Sequence, residues 1–418
     1  MRVIGIIAEF NPFHSGHEYL IRETRKATGG DRAVVMCIMS GSFTQRGLPA
    51  IFPRHLRARQ ALKCGADIVI ELPVEWSCAP AGEFAEGAIR TLMATGVVTD
   101  ICWGIDTDDP GLINTLSDPA VYDSVDYKTI LREKLSEGMS FPAASAAAVT
   151  IAAGLSPDNN AVSECLRSPN SILAIEYMKA MKRLGAGFKV HMIRRIGQDY
   201  SDESRGSEIP SAGAIRKAIY GTDLTAPSIA SACTGSMPDR SLSVILSAVS
   251  SGEASPADLN MYMEEAYLRV ISSETENIRF MADGLSGYIE NVFSGLKEGD
   301  ISFDRISSLL VTKHFTMPRI YRALSMAMLG VEKDQISYGP KYIRVLGFGH
   351  EGRYCLKIMG RCAKLPIISN RSDLLELISS DGDLKRSYEL NSAALDLSGH
   401  FMGIRPGSSW NDPPVKVK

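Results

Sequence analysis

The sequence has little net charge and lacks the cysteine patterns that build zinc sites or disulfide frameworks. Its 48 acidic and 45 basic residues leave the 418-residue chain at −3, without the overall basic excess typical of nucleic-acid-binding proteins. The eight cysteines include no C-x-x-C pair, and Cys355 and Cys362 have no histidines spaced to complete a zinc site. Thiols in apolar runs, without a disulfide framework, favour a reducing cytoplasm.

Segments that would direct the chain into a membrane are also missing. The apolar run of residues 1–8 stops at Glu9, short of the length and cleavage site of a signal peptide. The longest charge-free stretch, residues 138–157, is rich in Ala and Ser, which give too little transfer energy for a membrane span. We therefore expect a buried helix there and no membrane partner. A composition of 45% apolar and 22% charged residues is typical of globular domains.

Five short β-branched runs, separated by longer helical patterns, organise the first 200 residues. The runs are residues 3–8, 33–39, 67–72, 101–105 and 189–194. Nearly continuous apolar strands that alternate with helices are typical of a parallel sheet covered on both faces. Right-handed crossovers between them predict an α/β fold with a Rossmann-like, doubly wound parallel sheet.

Capping residues and a change in composition complete the predicted layout. Ser168 suits the N-cap of a helix, and Gly185 suits its C-terminal end. Residues 226–238 are uncharged and rich in Ser, Ala, Gly and Pro, which is typical of a linker or mobile loop. Helical patterns and one β-like segment follow, at residues 256–288, 303–329 and 342–348. We therefore predict an α/β domain over 1–222 and a mainly helical region with a small β element over 223–418.

The turn after the first run combines the residues that a phosphate site needs. Residues 8–17 read Ala-Glu-Phe-Asn-Pro-Phe-His-Ser-Gly-His and lead into a helical pattern, at the sheet edge where ligands bind. A helix N-terminus there offers free N–H groups to an anion, and Gly16 allows the backbone to approach closely. His14 and His17, charged or neutral near pH 7, add donors that stabilise charge developing on phosphorus. The alternative is two surface histidines near a turn.

An H-x-G-H turn on a first strand resembles the nucleotidyltransferase superfamily, which includes the class I aminoacyl-tRNA synthetases. The longer string of residues 5–17 resembles the bacterial tRNA(Met) cytidine acetate ligase family more specifically. Further similar strings cover most of the chain, at residues 40–47, 65–73, 167–173, 194–197, 312–313, 319–322 and 344–348. One departure is Gly104-Ile105-Asp106, where the family more often has a small residue and Glu after the glycine.

The resemblance implies a ligase that activates acetate with ATP as acetyl-adenylate and then acetylates N4 of the wobble cytidine in elongator tRNA(Met). The products would be AMP and pyrophosphate, with Mg²⁺ accompanying the nucleotide and His14 and His17 as the catalytic residues. The implied ATP-binding residues are Ile7, Ala8, Glu9, Phe10, Asn11, Pro12, Phe13, His14, Ser15, Gly16, His17, Gly104, Asn170, Arg194 and Arg195.

The residues outside the turn also have ordinary structural alternatives. Gly104 could be a turn glycine, Asn170 the neighbour of an N-cap, and Arg194 with Arg195 a solvated strand end.

Weaker signals lie elsewhere near the same sheet edge. Ser211 and Arg216 are similar in placement to the second signature of nucleotidyltransferases and would contact pyrophosphate, although an N-cap role explains Ser211 equally well. Residues 45–47 could touch a substrate or only brace the site. An acidic cluster follows the fourth run, at Asp106, Asp108 and Asp109. These carboxylates could meet Mg²⁺ or simply favour a turn.

The small net charge conceals a basic segment. Residues 313–364 hold ten basic and three acidic residues, a charge of +7 against −10 for the rest of the chain. Interleaved aromatic residues could stack on bases, although a solvated basic face is the ordinary alternative. The residues predicted to bind tRNA are Lys313, Arg319, Arg322, Lys341 and Arg344.

Three functions compete at this point. An ATP-dependent acetate–tRNA ligase would use both the H-x-G-H turn and the basic segment. A small-molecule adenylyltransferase would end near residue 220 and leave the basic half without a purpose. A non-catalytic tRNA-binding module would not need His14 and His17 intact.

Overall fold

The computed structural model describes residues 1–30, 33–195, 210–297, 299–312, 314–335, 339–369, 371–407 and 413–417. The strands in these ranges are β1 (Arg2–Ala8), β2 (Ala33–Ser40), β3 (Ile68–Leu72), β4 (Asp100–Ile105), β5 (Lys189–Arg194), β6 (Ile343–Phe348), β7 (Ile367–Ile368) and β8 (Val415–Lys416). The helices of the first half are α1 (Ser15–Thr28), α2 (Arg54–Lys63), α3 (Val74–Ser77), α4 (Ala81–Ala94), α5 (Pro110–Leu116), α6 (Pro119–Asp123), α7 (Val125–Ser136), α8 (Phe141–Ala152), α9 (Asn160–Arg167), α10 (Pro169–Leu184) and α11 (Ala212–Tyr220). Those of the second half are α12 (Ala226–Cys233), α13 (Asp239–Ser250), α14 (Leu259–Ser272), α15 (Leu285–Ser294), α16 (Phe303–Leu310), α17 (Met317–Leu329), α18 (His350–Cys362), α19 (Arg371–Ser380) and α20 (Gly382–His400).

One mixed sheet joins the strands in the order β5-β4-β1-β2-β3-β6-β7, and β8 pairs with β6. Strands β1 to β5 run parallel to their neighbours, whereas β6 runs antiparallel to β3. The chain builds β2 and β3 on one side of β1 and β4 and β5 on the other, so β1 lies at a switch point of the sheet, where ligands bind. The predicted α/β, doubly wound fold is confirmed, and each of the five strands lies within one residue of its predicted ends.

Alternate residues of the central strands face two separate layers of helices. Ile4 and Ile6 of β1 pack in one core with Ile21 of α1. Val3 of the same strand packs on the opposite face, in a core that includes Phe84 of α4. Because successive side chains of a strand point to opposite faces and both faces are covered, these strands need the nearly continuous apolar sequence that predicted them.

The helix α10 begins and ends where its capping residues predicted. The Ser168 hydroxyl accepts the N–H of Ser171 at 3.4 Å, and Gly185 ends the helix with φ of 64°. Glycine is the usual residue at that left-handed position. The local sequence therefore fixes both ends of the helix that begins beside Asn170.

The linker predicted at residues 226–238 is wrong in its first part, which forms helix α12. Ile229 and Cys233 lie four residues apart on this helix, and both are fully buried. They pack with Ile219 and Ile245 in a small core. An uncharged run of small residues is therefore buried here because its two larger side chains share one helix face.

The sheet also crosses the predicted boundary between residues 222 and 223. Strand β6 comes from the second half of the chain but pairs with β3, with Ile68 opposite Phe348. An unpaired strand edge exposes backbone N–H and C=O groups, and β6 covers the edge that β3 would otherwise leave open. The two halves therefore share one sheet in the described structure.

The charge-free stretch of residues 138–157 contains helix α8, as predicted, but only one side of it is buried. Ala144 and Ala148 are fully buried, whereas Phe141 is 62% exposed. Within the ranges that the structure covers, no helix is long and apolar enough to cross a membrane.

The helices of the second half form their own core, which extends to the loop after β2. Tyr262 of α14 and Leu324 of α17 belong to this core, together with Phe43 from the loop. A loop at the ligand-binding edge of the sheet is thus packed directly against the helical region.

Candidate active site

A cavity of about 1290 Å³ opens at the carboxyl edge of the sheet. It is lined by the turn after β1, the loop after β2, the ends of β4 and β5, and the first residues of α10 and α11. Small-molecule sites usually measure about 300–1,000 Å³, so this cavity has room for a nucleotide and part of a second substrate.

The first turn of α1 is capped by two histidines in a reciprocal arrangement. The Nδ1 of His14 accepts the N–H of Gly16 at 3.0 Å, and the Nδ1 of His17 accepts the N–H of His14 at 3.2 Å. The two rings are tilted by 35° to each other, with their centres 3.9 Å apart. Since each Nδ1 accepts a hydrogen bond, a neutral ring must carry its proton on Nε2. Each histidine therefore keeps one N–H donor for a ligand in the cavity that both residues line.

Both histidines are neutral at pH 7 in this site. Burial, reinforced by the positive charges of Arg195 and Arg216, lowers the pKa of His14 to about 4. Burial lowers the pKa of His17 well below its usual value, and His14 and Arg195 add to this effect. The histidines therefore offer neutral donors, and the full positive charges come from the arginines.

A buried arginine, which the sequence reasoning missed, holds the backbone of the H-x-G-H turn. Arg57 of α2 is fully buried and donates to the carbonyls of Glu9 at 2.7 Å and Ser40 at 2.9 Å, and also to that of Gly41. It thereby ties the ends of β1 and β2 together. Burial lowers the pKa of Arg57 to about 10, so it stays charged at pH 7.

Most of the turn residues that were predicted to bind ATP contribute to the cavity lining. The others contact the protein around the turn instead. Eight of the eleven residues from 7 to 17 contribute to the lining, and Pro12, Phe13 and Ser15 do not. Phe13 is fully buried, and the hydroxyl of Ser15 donates to the Ser236 carbonyl at 3.0 Å. The side-chain oxygen of Asn11 accepts the N–H of Ile51 at 2.7 Å, so this oxygen is already bonded within the protein.

Gly104, Asn170 and Arg195 meet at the ends of β4 and β5. A Cβ on Gly104 would lie 2.9 Å from Cγ of Arg195, so the glycine makes room for that side chain. Asp106 accepts a hydrogen bond from the Asn170 amide at 2.9 Å and another from Ser168. The Arg195 Nε lies 3.6 Å from the same carboxylate. Asp106 therefore orients both Asn170 and Arg195.

The carboxylates considered for Mg²⁺ already have protein partners. Asp108 pairs with Arg194, and Asp109 caps α5 by accepting the N–H of Gly111 at 2.8 Å. With Asp106 committed as well, these three carboxylates do not fit an ion held by the protein, and their contacts favour the turn alternative. Among the described residues, no group of three or more His, Cys, Asp or Glu could hold a metal ion.

Helix α11 brings Ser211 and Arg216 to the same cavity. The Ser211 hydroxyl accepts the N–H of Ala214 at 3.2 Å, which is the N-cap role. Arg216 donates to the Asn11 carbonyl at 2.6 Å, and burial lowers its pKa. Arg216 therefore ties α11 to the phosphate turn while it still lines the cavity.

The residues predicted to bind tRNA do not form one exposed surface. Lys313 lies outside the described residues. Arg344 is only 5% exposed because β6 lies inside the sheet, so it does not belong to an RNA-binding face. Arg322 donates to the Gln45 carbonyl at 2.9 Å and so braces the loop after β2.

The two remaining cations of that group are nearer to solvent but have acidic neighbours. Arg319 lies 2.8 Å from Asp283, and Lys341 lies 3.4 Å from Asp383. Surface pairs of this kind are weak, so both side chains can exchange their partners for a phosphate.

The chain matches the family model described as HIGH Nucleotidyl Transferase over residues 1–398. It is 33% identical over 404 residues to the tRNA(Met) cytidine acetate ligase of Acetivibrio thermocellus, which covers 95% of this chain and 94% of that protein. The enzyme of the same name from Thermosipho melanesiensis is 33% identical, with coverage of 94% and 90%. A crystal structure of Thermotoga maritima TmcAL bound with alpha-thio ATP has a TM-score of 0.87 and 27% identity, over 100% of both chains. This chain therefore belongs to the tRNA(Met) cytidine acetate ligase family of HIGH nucleotidyltransferases.

Proposed function

We propose that this protein is an ATP-dependent ligase that acetylates N4 of the wobble cytidine in elongator tRNA(Met) by way of acetyl-adenylate. The observation that carries the proposal is the His14–His17 pair at the start of α1, which lines the same cavity as Arg195 and Arg216. Both Nδ1 atoms accept backbone hydrogen bonds, so the Nε2–H groups are left as donors. The family membership supplies the substrate class, because the relatives bear this activity in their names.

In the first step, an acetate oxygen attacks the α-phosphorus of ATP, and the bond to the β-phosphate breaks as pyrophosphate leaves. Negative charge grows on the α-phosphate oxygens and on the leaving group. The Nε2–H groups of His14 and His17, together with the positive end of the α1 helix dipole, stabilise it. The guanidinium groups of Arg195 and Arg216 add full charges on the same side. Acetate is already ionised at pH 7, so no base is needed.

Mg²⁺ enters this scheme with the triphosphate. Because Asp106, Asp108 and Asp109 have other partners, these three carboxylates form no cage for the ion. Mg²⁺ is commonly held by substrate phosphates and water with few protein ligands, and it would neutralise phosphate charge there.

In the second step, the N4 amine of cytidine attacks the carbonyl carbon of acetyl-adenylate. The bond from this carbon to the phosphate oxygen breaks, AMP leaves, and the amine loses a proton. Such an enzyme works in the cytoplasm, where tRNA and ATP occur together.

The second half of the chain, residues 223–418, would hold the tRNA, and residues 1–222 would carry out the chemistry. Two contacts support this division of work. Ser236 binds Ser15 beside the phosphate turn, and Arg322 of α17 binds the loop after β2. An RNA held on the helical region would therefore keep a fixed distance from the cavity.

The test is an acetylation assay with labelled acetate, ATP and tRNA(Met), in which each component is omitted in turn. Label should reach the tRNA only when all three are present, and nuclease digestion should recover it on one cytidine. Transfer of AMP to a phosphorylated small molecule, with no label on the tRNA, would instead indicate a small-molecule adenylyltransferase.

A further inference from the structure

Two exposed arginines line the cavity without a role in the scheme above. They are Arg46, in the loop after β2, and Arg167, the last residue of α9. Among the residues that the structure describes, neither side chain has a hydrogen bond or an ion pair. Arg194, Arg195 and Arg216 of the same cavity are each engaged with a neighbouring group.

The backbone that carries Arg46 is fixed on both sides of this residue. The Gln45 N–H donates to the Glu9 carboxylate at 2.7 Å, and Arg322 binds the Gln45 carbonyl at 2.9 Å. On the other side, Ser325 donates to the Gly47 carbonyl at 2.5 Å. A loop held by a rigid scaffold, with one charged side chain left free, is suited to presenting that side chain to a ligand.

Arg167 is anchored in a comparable way from the opposite side. It directly precedes Ser168 and lies three residues before Asn170, and both of these residues bind Asp106 at the end of β4. Since β2 and β4 flank β1 in the sheet, Arg46 and Arg167 stand on the two sides of the switch point. The cavity that begins at the end of β1 therefore has one free guanidinium on each side.

The position and exposure of these two arginines favour an RNA strand as their ligand. The buried donors of the turn and the engaged arginines are already available to bind the nucleotide phosphates. The side chains of Arg46 and Arg167, by contrast, are exposed to water. A base that undergoes chemistry is turned out of its strand into a pocket, and its flanking phosphates stay outside. Arginine suits such phosphate contacts because its donors form a planar, always-charged fork.

We propose that Arg46 and Arg167 bind the RNA phosphates on the two sides of the acceptor cytidine and hold the strand across the cavity. This inference rests on the proposed acetylation of tRNA. It assigns substrate positioning in the second step to two residues that take no part in the first.

The experiment compares Arg46→Ala, Arg167→Ala and the double variant with Arg132→Ala. Arg132 is an exposed arginine of α7 outside the cavity lining, so it controls for the loss of a surface charge. Each protein is tested for acetate-dependent ATP–pyrophosphate exchange without tRNA, for the KM of tRNA acetylation, and for tRNA affinity at several salt concentrations by filter binding.

Each cavity variant should keep wild-type exchange and raise the KM for tRNA about tenfold, as expected for one charge-assisted hydrogen bond. The slope of log affinity against log salt should become shallower by about 0.7 for each arginine removed, the value for single strands. Arg132→Ala should match the wild type in all three measurements.

Two results would overturn the inference. A loss of exchange would mean that the arginines hold the nucleotide, and tRNA parameters equal to those of Arg132→Ala would mean that they bind neither substrate. If the wild type itself gave no exchange and no acetylation, the proposed function would fail, and the filter-binding measurements would still decide whether the two arginines contact RNA.

Discussion

Replacing Gly47 by alanine tests how closely the loop after β2 is packed against α17. Gly47 has φ of 92°, in the left-handed region that an L side chain rarely adopts. An added Cβ would lie 2.2 Å from the backbone nitrogen of Arg322 and 2.5 Å from the carbonyl carbon of Tyr321. Ordinary van der Waals contacts lie at about 3.5 Å, so the loop and the helix must separate by roughly 1 Å.

That separation breaks the two hydrogen bonds that hold the loop. The bond from Ser325 to Gly47 is worth about 1 kcal/mol, and the charged bond from Arg322 to Gln45 about 1.5–3 kcal/mol. The left-handed conformation adds about 1–2 kcal/mol for a residue with a Cβ. We therefore expect Gly47→Ala to lower the free energy of unfolding by about 3.5–6 kcal/mol.

The assay is equilibrium unfolding in urea, with Gly138→Ala as the matched control. Gly138 has a similar φ of 85°, but no atom lies within 4 Å of the position that its Cβ would take. The control should lose only about 1–2 kcal/mol, with an unchanged slope of free energy against denaturant. Equal losses in the two variants would refute the close packing of the loop on α17.

Three further predictions concern the histidine pair and the first strand. His17→Ala should slow acetate-dependent ATP–pyrophosphate exchange about 10²–10³-fold, while the affinity for tRNA in filter binding stays unchanged. A reduction of the exchange rate by less than tenfold would show that His17 is not catalytic. Because burial lowers the pKa of His14 to about 4, its ring is neutral above that value, so kcat/KM for ATP should show no histidine transition between pH 6 and 8. An inflection near pH 6.5 would contradict the neutral pair. Asp100→Asn should reduce the free energy of unfolding at pH 7 by about 1.5–3 kcal/mol, since the bonds from Arg2 hold the pKa of this carboxyl below its usual range. The difference in free energy of unfolding between the wild type and Asp100→Asn, measured in urea, should shrink as the pH falls below about 4. A difference that does not change with pH would be inconsistent with an ionic contribution.

Local sequence was sufficient for the five parallel strands of the sheet and for the position of the phosphate turn. The five strands are predictable because both of their faces are covered, which requires nearly continuous apolar runs. Helix α10 was predictable from Ser168 and Gly185, whose capping preferences act within a few residues. The position of the H-x-G-H turn was also predictable, because the strand before it and the helix after it place it at the edge of the sheet.

The contacts that the sequence could not predict join residues far apart in the chain. Arg57 reaches the Glu9 carbonyl 48 residues away, and Arg322 reaches the Gln45 carbonyl 277 residues away. In the sequence, Arg322 and Arg344 look like surface cations because charge runs are commonly solvated. Only the fold shows that the first braces a loop and that the second lies in a strand of the sheet.

The central claim is that acetate attacks the α-phosphorus of ATP, and acetate labelled with ¹⁸O in both oxygens tests it most directly. The attacking oxygen becomes the bridge of acetyl-adenylate and stays on the phosphate when cytidine takes the acetyl group. Mass spectrometry after acetylation of tRNA(Met) should therefore find one ¹⁸O in each AMP and none in pyrophosphate. AMP without ¹⁸O, or ¹⁸O in the pyrophosphate, would contradict the mechanism.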